Sequence, residues 1–354
     1  MKPDLPAIPR PAAADDDPLR YVERLLDTLD VPVDSDTIGP ASRTLTRSLP
    51  SLPQPGDGQT LLRWRMLAAI AARDLSLVKI YEAHADAAAI LAELGAAQPG
   101  RGTVWAVWAA QMPDAAVRIV RRDGGLARLT GVKAWCSGAA FATDALVTCT
   151  DDDGRRWLAA VELAQPGVEV VARGWHAVGM HATGSVEVHF DDAAARLVGR
   201  PNAYLERAGF WFGAAGIAAC WYGAAAALAT RLAHAATRRD DPHLRAHLGA
   251  ADAALSAARA LLRETAEQID RAPTSDALAP ALRVRAAVET AVEAVLHATA
   301  RGLGAAPFCR DRWFARMAAD LPVFVRQSHA EHDLATLGGA LAADAATERE
   351  AWSL

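Results

Sequence analysis

The chain has 354 residues, 52% of them hydrophobic, a formal net charge of −5 and four cysteines. That length allows one large or two to three small domains, and mild acidity without a basic stripe argues against a nucleic-acid partner. Cys136, Cys149, Cys220 and Cys309 form neither a CxxC pair nor a zinc pattern, so no metal is expected and a reducing cytoplasm is the simplest setting.

Residues 1–18 are rich in Pro, Ala and Asp and read as a disordered tail without the apolar run of a signal peptide. A helix is expected over about 19–30, with Tyr21, Leu25, Leu26 and Leu29 on one face, and another near 40–48. Pro and Gly break the chain repeatedly between them. Leu61, Trp64, Leu67 and Ala71 stand at helical spacing, and a further helix runs from Asp74 to the stop signal Gly95. His84, alone on that helix, reads as structural or solvated.

The pattern then changes period. TVWAVWAAQM (103–112) reads as a strand, as do DALVTCT and RRWLAAVEL, separated by the turn residues Asp152-Asp153-Gly154. Pro166-Gly167 marks another turn, and SVEVHF alternates with period two. Residues 103–200 are thus expected to form an antiparallel β block between helical flanks.

From 201 to 345 the helical period returns. Ala208–Thr230 carries no charged residue and is long enough to span a bilayer. Its Ala- and Gly-rich composition and the Gly209-xxx-Gly213 step favour a buried helix, so no membrane span is expected. Helices then follow over 243–270 and 279–301, and a last amphipathic stretch over 312–337, which predicts a four-helix bundle.

The β block also carries specific wording. Gly131-x-Lys133-x-Trp135-Cys136-Ser137-Gly138-Ala139 is followed by Gly179-Met180-x-x-Thr183-x-Ser185. The pair resembles the middle-domain motifs of the acyl-CoA dehydrogenase flavoproteins. The resemblance implies an α+β multi-domain fold: tail 1–18, an abbreviated N-terminal helical domain 19–102, a central antiparallel β-barrel-like domain 103–200 and a C-terminal four-helix bundle 201–345. It also implies bound FAD, oxidation of an acyl thioester to its α,β-enoyl product, and a homodimer or homotetramer. Electrons would pass to an acceptor protein or to oxygen.

By the same resemblance Trp135, Ser137 and Thr183 contact the flavin ring, with Trp108 and Gln111 beside it. Arg238 and the Gly302–Gly304 segment would meet the FAD phosphates. Trp108 and Trp135 also admit a reading as core, Ser137 as a turn residue and Ser185 as a strand-edge hydroxyl. Where the family writes T-E-P-x-x-G-S-D, this chain has Gln111-Met112-Pro113-Asp114-Ala115-Ala116-Val117-Arg118, and the family's Arg-x-x-Phe element lacks its Phe.

The α-proton abstraction needs a carboxylate. The family's late Y-E-G-T glutamate is missing, so Glu206, in Leu205-Glu206-Arg207, is the first candidate base. Its plain explanation is a favourable place at a helix start. The second candidate cluster is Arg326-Gln327-Ser328-His329-Ala330-Glu331-His332-Asp333, with His329 or Glu331 as base or as part of an oxygen-activating site. Two rivals therefore stay open: a flavin monooxygenase on the same scaffold, and a degenerate, non-catalytic interaction subunit.

Overall fold

The computed structural model describes residues 17–112 and 114–345, so residues 1–16 of the expected tail and Pro113 lie outside the described residues, while Pro18 of that tail already belongs to a helix. Four helices come first: α1 (Pro18–Asp27), α2 (Ile38–Ser48), α3 (Thr60–Arg73) and α4 (Leu75–Glu93). Asp17 caps α1 by accepting the Leu19 N–H at 3.1 Å, with Pro18 in the first turn. Tyr21, Val22, Leu25 and Leu26 are buried along one side, as their spacing predicts.

Seven strands follow: β1 (Trp105–Trp108), β2 (Val117–Asp123), β3 (Leu126–Cys136), β4 (Asp144–Thr150), β5 (Arg156–Glu162), β6 (Val168–Val171) and β7 (Val186–Val198). Their pairing runs β4–β2–β3–β7–β5 and returns to β4, which closes a barrel; β1 adds to β4, and β6 to β7. A closed ring leaves few free edges. The expectation of a purely antiparallel block needs correction, because β1 lies parallel to β4 and β2 meets β4 in parallel at Arg118 and Thr150.

Gly131 is not a turn residue. It sits inside β3 at φ +129°, where a Cβ would stand 2.1 Å from the Ala116 carbonyl oxygen. The register slips there by one residue, so the glycine makes a bulge possible. The barrel interior is filled by Trp108, Leu129, Cys136, Val147, Val188 and Phe190.

A single-turn helix α5 (Ala203–Glu206) precedes α6 (Gly209–Ala236), α7 (Pro242–Arg271), α8 (Leu278–Leu303), α9 (Ala306–Arg310), α10 (Arg312–Phe324) and α11 (Glu331–Ala345). Among the described residues, α6 is long and apolar enough to cross a membrane, and 67% of its most apolar window is buried within the protein. The stretch expected as one helix over 312–337 is broken. Pro322 lies inside α10, a 3-10 turn covers Val325–Gln327, and Ala330 takes φ +45° before α11 begins.

The chain forms two compact units. One comprises the chain up to Leu52 together with Ser76–Phe210; the other comprises Pro53–Leu75 together with Trp211 onward. The expected 19–102 helical domain is therefore divided. Helix α3 belongs with the C-terminal helices, because Gly223 of α6 brings a Cβ position to 2.3 Å from the Ala68 carbonyl. Asp270 of α7 accepts from the Thr60 hydroxyl at 2.5 Å and its N–H at 3.0 Å. Helix α5 clusters with the barrel unit, which ends at Phe210.

Candidate functional site

In the barrel unit the two sequence motifs meet. Strand β3 ends in a bulge, with Lys133 opposite Val188 and Cys136 opposite Val186. Ala134 and Trp135 together oppose the single residue Glu187. The bulge holds Trp135 at φ +58°, a left-handed conformation that costs a non-glycine residue about 1–3 kcal/mol. The same bulge turns its side chain outward, and Trp135 is 49% exposed. An indole held open by backbone strain is a platform rather than core.

The turn that follows is pinned at every polar atom. The Ser137 N–H donates to the Trp135 carbonyl at 3.0 Å, and the Gly138 N–H to the Thr183 carbonyl at 2.8 Å. The Trp108 indole N–H donates to the Ser137 carbonyl at 3.1 Å. The Ser137 hydroxyl lies 2.7 Å from that of Ser185, which lies 2.8 Å from that of Thr183, which donates to the Met180 carbonyl at 2.7 Å. Thr183 and Ser185 do not enter the strand as expected. Thr183 ends a 3-10 turn over His181–Thr183, and Ser185 precedes β7.

Trp108 is 2% exposed and lies behind this corner, so it braces Ser137 rather than facing outward. Gln111 is exposed, just before the isolated bridge between Met112 and Ala115. Beneath the corner, Lys133 is buried and donates to the Thr148 carbonyl at 3.1 Å and hydroxyl at 2.7 Å. Burial lowers its ammonium to about 8. Burial likewise pushes the Cys149 thiol up to about 12. His84 is structural: its ring takes the Trp105 N–H at 3.2 Å and lies 3.2 Å from the Pro50 carbonyl, tying a loop to β1.

Glu206 does not open the long helix. It closes the short α5, and its carboxylate pairs with Arg200 at 2.6 Å, both side chains largely solvent-facing. Arg207 pairs with Glu93 of α4 at 2.8 Å, not with its neighbour, and the same carboxylate accepts the Gly209 N–H at 3.0 Å. The guanidinium stacks 5.3 Å over the Tyr204 ring, whose hydroxyl is pushed up to about 12 by burial. Nothing in local spacing pointed to Glu93.

In the helical unit, the bend between α10 and α11 presents His329 and Asp333. Asp333 accepts the His329 backbone N–H at 3.1 Å and stands 3.4 Å from its ring Nδ1. His329 and Glu331 are exposed; Asp333 is largely buried. The bend is held by Arg285 of α8, a buried guanidinium that donates to the Ala214 and Gln327 carbonyls, both at 2.8 Å, and lies over Trp221. Arg326 pairs with Glu289 of α8 beside it. Arg285 sits in an apolar helical run, where spacing alone does not single it out.

Two residues expected at the phosphates have neighbours within the helical unit. Arg238 folds back to donate to the His234 carbonyl of its own helix at 3.2 Å. Gly302 lies inside α8 rather than in a break, and a Cβ there would meet Leu232 at 2.7 Å, so the glycine serves helix packing. Gly304, at φ +68°, ends that helix with open space around it. Among the described residues no group of three or more His, Cys, Asp or Glu could hold a metal.

Family models match two stretches: the acyl-CoA dehydrogenase middle domain over residues 109–193, and the acyl-CoA dehydrogenase C-terminal domain over 200–325. No curated protein matches the chain. Several solved structures share its fold. The dibenzothiophene monooxygenase of Paenibacillus sp. A11-2, solved with FMN and indole, is 18% identical at TM-score 0.65, covering 85% of this chain and 94% of its own. A nitrososynthase from Micromonospora carbonacea var. africana is 20% identical at TM-score 0.69, covering 81% and 82%. A probable acyl-CoA dehydrogenase from Mycobacterium abscessus is 15% identical at TM-score 0.72, covering 92% and 94%. At such identities the likeness speaks for the fold alone.

Proposed function

The chain belongs to the acyl-CoA dehydrogenase family, and from that premise we propose that it is a flavin-dependent monooxygenase that works with reduced FMN. The observation that carries the flavin reading is the corner at Trp135–Gly138: an exposed indole beside a serine whose hydroxyl meets Ser185 and whose backbone is tied at its N–H and carbonyl. Such a corner suits a flat heteroaromatic ring with polar atoms on its edge.

The preference for FMN over the expected FAD follows from what surrounds the other candidate residues. FAD needs a place for its adenylate phosphates. Arg238 is engaged with its own helix, and Gly302 is consumed by packing against Leu232. The preference for oxygenation follows from the carboxylates. Glu206 is held by Arg200 in a water-accessible pair, which does not offer the dry pocket that α-proton abstraction needs.

Reduced flavin supplies two electrons to dioxygen, so that one oxygen atom enters the substrate and the other leaves as water. The chain's own residues would do the rest. Trp135 supplies a face against which a planar ring lies. Trp108, Ser185 and the Gly138 N–H hold Ser137 still, and preorganisation of that kind costs nothing at the moment of reaction. The three deeply buried free thiols fit a reducing, cytoplasmic setting.

The dehydrogenase reading, with an acyl thioester as substrate and Glu206 as base, is separated by one experiment. The purified protein is loaded with flavin and mixed anaerobically with acyl-CoA, then separately with dioxygen after chemical reduction. Reoxidation by oxygen with substrate-dependent product, and no bleaching by acyl-CoA, is the expected result. Bleaching by acyl-CoA would establish the dehydrogenase instead. A protein that takes up neither FMN nor FAD would be the non-catalytic subunit.

A further inference from the structure

We infer that Thr183 and Ser185 fix the proton of Ser137 so that its oxygen can only accept, and that the corner thereby selects the reduced form of a flavin. The first half stands on hydrogen-bond geometry; the second rests on the flavin reading above.

The three hydroxyls carry three protons, and the far end of the chain decides where each goes. Thr183 Oγ1 lies 2.7 Å from the Met180 carbonyl oxygen. A carbonyl has no proton to give, so Thr183 must donate, and a hydroxyl donates once. The 2.8 Å contact between Thr183 and Ser185 therefore needs the Ser185 proton. With that proton spent, the 2.7 Å contact between Ser185 and Ser137 needs the Ser137 proton. Ser137 is left with lone pairs alone for anything on its open side.

Rotation cannot easily undo this order. Thr183 and Ser185 are 1% and 4% exposed, which leaves water little access to supply a substitute partner. The Ser137 backbone is tied through both its N–H and its carbonyl. Low local polarity makes an unmatched hydroxyl expensive, so the chain keeps its direction.

An acceptor-only hydroxyl distinguishes the two forms of an isoalloxazine. The oxidised ring presents a lone pair at N5, and an acceptor facing it is unmatched; O4 accepts in both forms and does not discriminate. The reduced ring carries N5–H, which donates. Gaining one hydrogen bond in one form and losing a match in the other is worth about tenfold or more in affinity. Ser137 itself makes the contact, while Ser185 and Thr183 act through it as positioning residues. The device suits a protein that receives its flavin already reduced.

The test is anaerobic titration of the whole chain with oxidised FMN and with dithionite-reduced FMN, followed by tryptophan fluorescence and checked by ultrafiltration. Wild type is expected to bind reduced FMN at least about tenfold tighter, which for a two-electron couple places the bound midpoint about 30 mV above that of free FMN. Ser185→Ala frees the Ser137 proton, and Thr183→Val frees the Ser185 proton so that the order can reverse. In both, the ratio should fall by about fivefold or more, chiefly through tighter binding of oxidised FMN. Thr183→Ser keeps the hydroxyl and should keep the ratio, and thermal unfolding of each variant checks that it is folded. Equal ratios in wild type, Ser185→Ala and Thr183→Val would overturn the inference while leaving the flavin reading in place. Failure of wild type to bind either form of FMN or FAD would remove the flavin reading and the selection with it.

Discussion

Lys133 offers the sharpest quantitative check on the barrel interior. Its ammonium is buried, its hydrogen bonds go to Thr148, and burial lowers it to about 8 from an ordinary 10.5. Below pH 8 the lysine is charged in both folded and unfolded chains, and the folded state carries the full desolvation cost, roughly 3 kcal/mol. Between pH 8 and 10.5 the unfolded chain holds a proton that the folded chain has released, so stability rises with pH at about 1.4 kcal/mol per pH unit. Above 10.5 the cost is gone. Lys133→Met keeps an unbranched side chain one atom shorter and removes the charge, but leaves the Thr148 carbonyl without its donor, a loss of about 1–3 kcal/mol. At pH 7 the two effects offset to within about 2 kcal/mol, so the decisive quantity is the slope. Urea unfolding of both proteins at pH 7, 8 and 9 supplies it. The neighbouring Cys136 and Cys149 thiols, raised by burial and held down by the Lys133 charge, act in the opposite direction above pH 9, so the difference between the two proteins is read between pH 7 and 9. Wild type should gain on Lys133→Met progressively from pH 8 to 9, and parallel pH curves would refute the buried-charge argument.

Gly131→Ala should cost roughly 3 kcal/mol or more, because the new Cβ collides with backbone at 2.1 Å in a conformation alanine avoids; the loss appears as a fall in Tm. Glu93→Gln leaves the Arg207 guanidinium, itself 6% exposed, without its charge partner and should destabilise by about 1–3 kcal/mol, read by denaturant unfolding. An unchanged midpoint would remove that clamp as a structural element. Glu206→Gln should leave oxidation within about twofold of wild type, since that carboxylate is engaged with Arg200 at the surface.

Local chemistry made much of this protein legible. The apolar stripe of Tyr21, Leu25 and Leu26, the Gly154 turn between β4 and β5, and the two-residue alternation of Val186, Val188 and Phe190 are decided within a few residues, and each element formed as its period demanded. The motif pair around Trp135 and Met180 carried the family resemblance for the same reason: short stretches hold their wording close together. Other features depended on partners far along the chain. That Thr183 and Ser185 face Ser137, that β5 returns to β4 and closes a barrel, and that α3 packs on α6 are facts of long-range pairing. Glu206 and Gly302 illustrate the limit most plainly. Spacing offered one as a base and the other as a phosphate turn, and the fold sets Arg200 against the first and Leu232 beside the Cβ position of the second. Spacing along a chain sets which face a side chain occupies; only the folded neighbours determine whether its polar atoms are already spent.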